Sequence, residues 1–314
     1  MSVMLRSGEF SYEALEQWEE LPEGVNLVEC PGVAVNSRDE VHVLTRNTDF
    51  PVMVFDTDGT YKRTFGKGIF SDFVHGISIG SDDAVYCADG GNHTVTKFTP
   101  DGTLVFTLGT RDKPSGMWGG EPFNKPTHAF ASPNTGDIFV SDGYGNSRIH
   151  VYSGSGDYKF SWGSPGIDAG QFIRPHNIAV DSDDKVYVVD REAHRIQIFD
   201  ARGNFLTMWN NIHRPDSMVL WNEHIYVGEL NGMGGVDEAP GLGHRVTVYD
   251  LQGNRVCIFG SEEEGEGPGQ FIAPHGIAVD SKGDVYVAEV SFTIRGSKMD
   301  PPKVLRSFSK YARQ

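Results

Sequence analysis

Apolar and polar residues alternate in short runs along most of the chain, and the runs recur in one fixed order. The stretch from 177 shows it best: an apolar strand NIAVD, a turn SDDK, an alternating strand VYVVD, a polar turn REAH, a strand RIQIFD, a turn ARGN and an outer strand FLTMWN. A period of two, β-branched residues within the runs and Asp, Asn and Gly in the gaps predict a four-stranded antiparallel sheet. The same order returns as GISIG, AVYCAD, TVTKFTPDG and TLVFTLG from 76, and as HAFAS, DIFVSD, RIHVYSGSG and DYKFSWG from 128.

Aligned on their first strands, six units open with CPGVAVN (30–36), VHGISIG (74–80), PTHAFAS (126–132), PHNIAVD (175–181), PDSMVLW (215–221) and PHGIAVD (274–280). One small sheet cannot bury its own face, so such units must pack radially against one another. Their length suits a propeller blade and no helical repeat. The expectation is an all-β, six-bladed β-propeller forming a single domain over residues 1–314, with a sandwich of repeated hairpins as the alternative. The last unit supplies GIAVD, DVYVAEV and, after the insertion SFTIRGSKMDPP, the strand KVLRSFSKY, and then lacks a fourth strand. A strand near residues 10–20, around Tyr12 to Trp18, is expected to complete it and so cover the sheet edge.

The position just before the first strand separates the units chemically. It holds Pro31, His75, Thr127, His176, Asp216 and His275 in turn, so histidine stands in every second unit. In a closed ring of six, those imidazoles would lie about 120° apart, the arrangement of a three-histidine metal site with an open position. The loops after each second strand should reach the same end and carry Arg46, Asp89, Asp142 to Arg148, Asp190, Arg191, Glu229 and Glu289. Arg46 and Arg191 could grip an anion, and Tyr144, in a glycine-rich turn, could act as a base beside a cation. Asp89, Asp142 and Asp190 recur at one strand end and read as turn residues, as do His93, His194 and His244. Arg148, Arg195 and Arg245 follow in NSRI, AHRI and GHRV and read as blade-to-blade ion-pair residues.

Charge narrows the partners. With 27 basic against 43 acidic residues, the net charge of −16 argues against a phosphate backbone as ligand. No run of eighteen apolar residues predicts a membrane span, and MSVMLRSGEFSYEAL lacks the apolar run of a signal peptide, so a cytoplasmic location is expected. Cys30, Cys87 and Cys257 form no CxxC pair and read as buried small hydrophobes in a reducing compartment. Neither a P-loop nor a dinucleotide glycine motif is present.

The motifs PHxIAVD and VYVxDxxxxRIxxFD resemble NHL repeats. Beyond the repeat, SPNTGDIFVSDGYGNSRIHVYSGSGDYKFSWG, GQFIRPHNIAVD and VVDREAHRIQIFD resemble the peptidyl-α-hydroxyglycine α-amidating lyase family, over most of residues 30 to 290. The resemblance implies a six-bladed propeller with zinc, or another divalent transition metal, on His75, His176 and His275. It also implies an active-site tyrosine at Tyr144 and active-site arginines at Arg191 and, by a looser match in HVLTRNTDF, Arg46. Three departures stand out. Gly276 replaces an aspartate that the family uses in catalysis and calcium binding, which argues against a structural calcium. Gly145 replaces a disulfide cysteine. His128, one position past the ligand register, replaces an aspartate and is a candidate accessory group.

Together these readings lead to a zinc-dependent lyase of the peptidylamidoglycolate type, cleaving a C–N bond in a small α-hydroxyglycine-like or related hydroxylated substrate. A metal-dependent hydrolase of lactonase or esterase type and a non-catalytic interaction scaffold are the alternatives. The expected partner is a small or short peptide-like substrate bearing a carboxylate, bound by a monomer that engages neither nucleic acid nor membrane.

Overall fold

The computed structural model describes residues 3–7, 10–233 and 239–314. It is an all-β, six-bladed β-propeller, and in five of its antiparallel sheets strands adjacent in sequence are adjacent in space. The chain divides into two compact units, one of Phe65–Pro215 and one of Met1–Thr64 with Asp216–Gln314. No helix among the described residues is long and apolar enough to cross a membrane.

The Phe65–Pro215 unit holds three complete sheets. Their first strands are Val74–Ile79, His128–Ala131 and Pro175–Val180; their second strands are Val85–Asp89, Ile138–Asp142 and Val186–Asp190. Second strands such as VYVVD are buried at every position, because both faces of the sheet are covered, whereas the outer strand Phe205–Trp209 is largely exposed. Between two of these blades Phe139, Ile149 and Val151 pack with Ile178, Val186, Val188 and Phe199 around the fully buried Phe172. Truncating such a phenylalanine to alanine would cost about 3–5 kcal/mol.

In the other unit the chain ends meet. Phe10–Ala14 pairs antiparallel with Phe308–Arg313, with Tyr12 opposite Arg313 and Ala14 opposite Tyr311. Tyr12 and Tyr311 are buried there with Phe259 and Phe271. The pairing stops at Ala14, short of the expected span, and Trp18 instead packs on Tyr286 and Phe308 and donates its indole N–H to Thr57 O at 2.8 Å. Two elements differ from expectation. A hairpin adds Val3–Ser7 outside Phe10–Ala14, making a five-stranded sheet. The strand expected from residue 303 begins only at Phe308, because the Arg306 N–H donates to the Glu266 carboxylate at 2.9 Å instead of joining the ladder. The insertion before it forms the short helix Ser291–Ile294 and a single 3-10 turn, Gly296–Lys298.

The strand-end carboxylates Asp89, Asp142, Asp190 and Glu289 each accept backbone N–H groups of the crossover that enters their own blade, from Ser71, Asn124, Ile173 and Ile272 respectively. Among the described residues, the blade-to-blade ion pairs expected of Arg148, Arg195 and Arg245 do not form. Arg195 lies directly opposite Asp190 in the same sheet and binds it at 3.0 Å. Arg245 and Glu229 repeat this at 2.8 Å, and Arg148 donates to Ser161 and to the Gly163 carbonyl. The strand register puts each arginine across its own hairpin, within easier reach than the next blade. The three cysteines are buried and joined by no disulfide, and burial pushes the Cys30 and Cys87 thiols up.

Candidate metal centre

Each of the three register histidines sits at a break in strand pairing. The ladder skips from Val74 to Gly76, from Pro175 to Asn177 and from Pro274 to Gly276, leaving His75, His176 and His275 as the extra residues. Such bulges re-aim a side chain out of the sheet's alternation. The blade that opens with His128 pairs without a break.

His75, His176 and His275 are all buried, and among the described residues they form a group whose offered ring nitrogens lie within 4.8 Å of one another. Two rings are oriented from behind by backbone. The Nδ1 of His75 lies 2.8 Å from Thr127 O, and that of His275 lies 2.7 Å from Pro31 O. A carbonyl can only accept, so those nitrogens carry the ring proton and the Nε2 atoms are left as lone-pair donors, the tautomer a metal requires. Gly76 makes the first contact possible: a Cβ there would lie 2.5 Å from Thr127 O.

Tyr144 stands beside two of these nitrogens. Its hydroxyl oxygen is 3.1 Å from His75 Nε2 and 3.2 Å from His176 Nε2. The phenol can donate to only one of these two nitrogens at a time, and the other, that of His176, also faces the Arg191 guanidinium. The turn bearing Tyr144 depends on Gly143, where a Cβ would lie 1.8 Å from Pro175 O, and on Gly145, where one would lie 2.3 Å from Asn124. A cysteine therefore cannot replace Gly145 in this packing.

Arg191, the first residue of the 3-10 turn Arg191–Ala193, donates from Nη1 to His176 Nε2 at 2.7 Å and from Nε to both oxygens of Glu192 at 2.9 and 3.1 Å. Glu192 also meets Arg214 at 3.1 Å and Arg174 at 3.4 Å. Burial pushes its carboxyl up, and the guanidiniums of Arg191, Arg174 and Arg214 more than offset this, so it lies below its ordinary value. In the other unit Arg46 is buried against Glu29 and donates to Thr293 Oγ1 at 2.9 Å, so the insertion helix Ser291–Ile294 helps hold it.

His128 lies outside the three-nitrogen group, with Nε2 3.2 Å from Ile77 O and its ring over Gly76. Asp216, in the ligand register but not singled out chemically by sequence reading, is fully buried with Oδ2 3.6 Å from His275 Nε2. Gly276 has a steric cause: a Cβ would lie 2.6 Å from the Gly32 Cα, so an aspartate at that position does not fit.

The donor set fits zinc or a similar divalent metal: three imidazole nitrogens, two of them fixed in the ligating tautomer. A three-histidine site able to chelate a divalent metal is therefore present.

A family model described as NHL repeat matches residues 172–199. NHL repeat-containing protein 3 of Homo sapiens is 30% identical over 277 residues, covering 82% of this chain and 76% of that protein. Peptidyl-alpha-hydroxyglycine alpha-amidating lyase 1 of Drosophila melanogaster is 31% identical over 251 residues, covering 74% of this chain and 45% of that protein. A streptogramin B lyase structure is similar in fold, with a TM-score of 0.59 over 94% of this chain and 97% of that one at 13% identity.

Proposed function

Because the chain belongs to the NHL-repeat family of β-propeller proteins, we propose, from its site, that it is a metal-dependent lyase cleaving the C–N bond of a small α-hydroxyglycine-like substrate. The observation that carries this reading is the Tyr144 hydroxyl, within 3.1 and 3.2 Å of two of the three histidine nitrogens and beside Arg191. An interaction scaffold has no use for a phenol packed against two metal-ready imidazoles.

His75, His176 and His275 would hold the metal, which supplies Lewis acidity toward a substrate oxygen. The Tyr144 hydroxyl acts as a relay: it gives its own proton to the departing amide nitrogen and accepts that of the substrate's α-hydroxyl as the carbonyl forms and the C–N bond breaks. The products are an amide and glyoxylate, with one proton moved in net from oxygen to nitrogen and the phenol restored, so no water or oxidant is consumed. Arg191 offers N–H donors to the oxygen charge that develops in this step. The same role for Arg46 rests on the family resemblance alone.

A screen of α-hydroxyglycine amides against lactones and esters, with glyoxylate and acid release measured separately, tests the proposal. Glyoxylate release is expected. Acid release without glyoxylate would make the protein a hydrolase, and no turnover of either class by metal-loaded protein would favour the scaffold.

A further inference from the structure

Glu192 accepts from three arginines, but they are not equivalent. Arg191 engages both carboxylate oxygens at 2.9 and 3.1 Å, and Arg214 adds a bond at 3.1 Å. Both guanidiniums are buried, with 8% and 9% of the side chain exposed. Arg174 arrives last, through Nη1 alone at 3.4 Å, and its side chain is 35% exposed. A carboxylate already taken by two guanidiniums leaves little for the third.

The Arg174 guanidinium nevertheless has a defined place. Its carbon lies 5.0 Å above the Tyr144 ring, closer than that of Arg191 at 5.7 Å. The backbone beneath it is pinned on both sides: the Arg174 N–H donates to Asp190 Oδ1 at 2.8 Å, and its carbonyl accepts the Arg191 N–H at 3.1 Å. A guanidinium has five N–H donors in a planar fork, and among the described residues only one of those of Arg174 is engaged, and that weakly. Arg191 and Arg46, by contrast, are each committed to a carboxylate, that of Glu192 or of Glu29.

From this we infer that Arg174 is the anion-receiving group of the site, binding the carboxylate of an α-hydroxy acid substrate in a fork beside Tyr144. The inference rests on the lyase reading for the identity of that substrate. In an α-hydroxyglycine the carboxylate carbon is bonded directly to the carbon that bears the hydroxyl. A carboxylate held over the Tyr144 ring therefore brings that hydroxyl to the phenol side of the site. Arg191 stays beside His176 with its N–H donors directed at the reacting oxygen, and substrate recognition and oxygen-charge stabilisation fall to different arginines.

The test uses α-hydroxyhippurate and its N-methylamide, which lacks the carboxylate, with wild type, Arg174→Ala and Arg174→Lys. Arg174→Ala should raise KM for the acid by about tenfold or more, the effect of losing a hydrogen bond to a charged group. It should change kcat far less and lower kcat/KM for the acid much more than for the methylamide, and Arg174→Lys should recover part of the loss. An equal loss on both compounds, or an unchanged KM for the acid, overturns the assignment. Calorimetric binding of the acid separates the two readings. A wild type that binds the acid tenfold more tightly than Arg174→Ala without cleaving it keeps the anion site and removes the lyase. Cleavage with the same KM in both proteins does the reverse.

Discussion

The Tyr144 hydroxyl oxygen stands 3.1 Å from His75 Nε2 and 3.2 Å from His176 Nε2, placing one proton-transfer group against two candidate metal ligands. Tyr144→Phe removes the oxygen and keeps the ring that packs on both imidazoles and under Arg174. The variant should bind metal at the wild-type stoichiometry while kcat falls about 10²-fold or more. Parallel measurement of metal content and turnover checks this; unchanged turnover would remove Tyr144 from the chemistry.

Asp216 presents a buried carboxylate 3.6 Å from the nitrogen that His275 offers. The opposite ring nitrogen is occupied by the Pro31 carbonyl, so two electron-rich atoms face each other, an arrangement a nearby cation stabilises. Asp216→Asn keeps the shape and removes the charge. It should weaken metal binding about 10- to 100-fold, as losses of outer-shell partners do. Competition with a chromophoric chelator measures it, and an unaltered affinity would mean that Asp216 serves packing alone.

Glu289 gives the fold a pH dependence of its own. Burial pushes its carboxyl from 4.5 up to about 7, against the lowering effect of the Ile272 and Ala273 N–H groups. Between these values the folded chain keeps a proton that the unfolded chain releases, so the contribution of Glu289 to stability is full below about pH 4.5 and is lost as pH rises to about 7. The full effect is about 3 kcal/mol. Denaturant unfolding of metal-free wild type and Glu289→Gln at pH 5 and pH 8 should show the wild type losing stability relative to the variant at the higher pH. A constant difference would contradict this.

The blades were legible because period-two alternation and Asp/Gly turns are local signals, repeated six times. The three histidines were legible because alternate units share one register position. Their bulges were not, since a skipped residue exists only in the pairing of two strands. Arg195 is legible as an ion-pair residue but its partner is not, because only strand register reveals that Asp190 faces it across the hairpin. Arg174 and Glu192 drew no attention in sequence, where an arginine before a Pro-His pair and a glutamate in a turn look like ordinary surface residues. Their meaning comes from convergence on Tyr144 and Arg191. Gly276 was visible as a departure, but its cause, the approach of the Gly32 backbone, belongs to packing between distant segments.

The most direct measurement is glyoxylate release from a peptidyl-α-hydroxyglycine as a function of metal bound per chain. Chelator-stripped protein should be inactive, and activity should rise in proportion to metal and saturate near one equivalent, while the triple alanine variant of His75, His176 and His275 neither binds metal nor releases glyoxylate. Full activity in the stripped protein, or none after one equivalent is bound, would contradict a metal-dependent lyase.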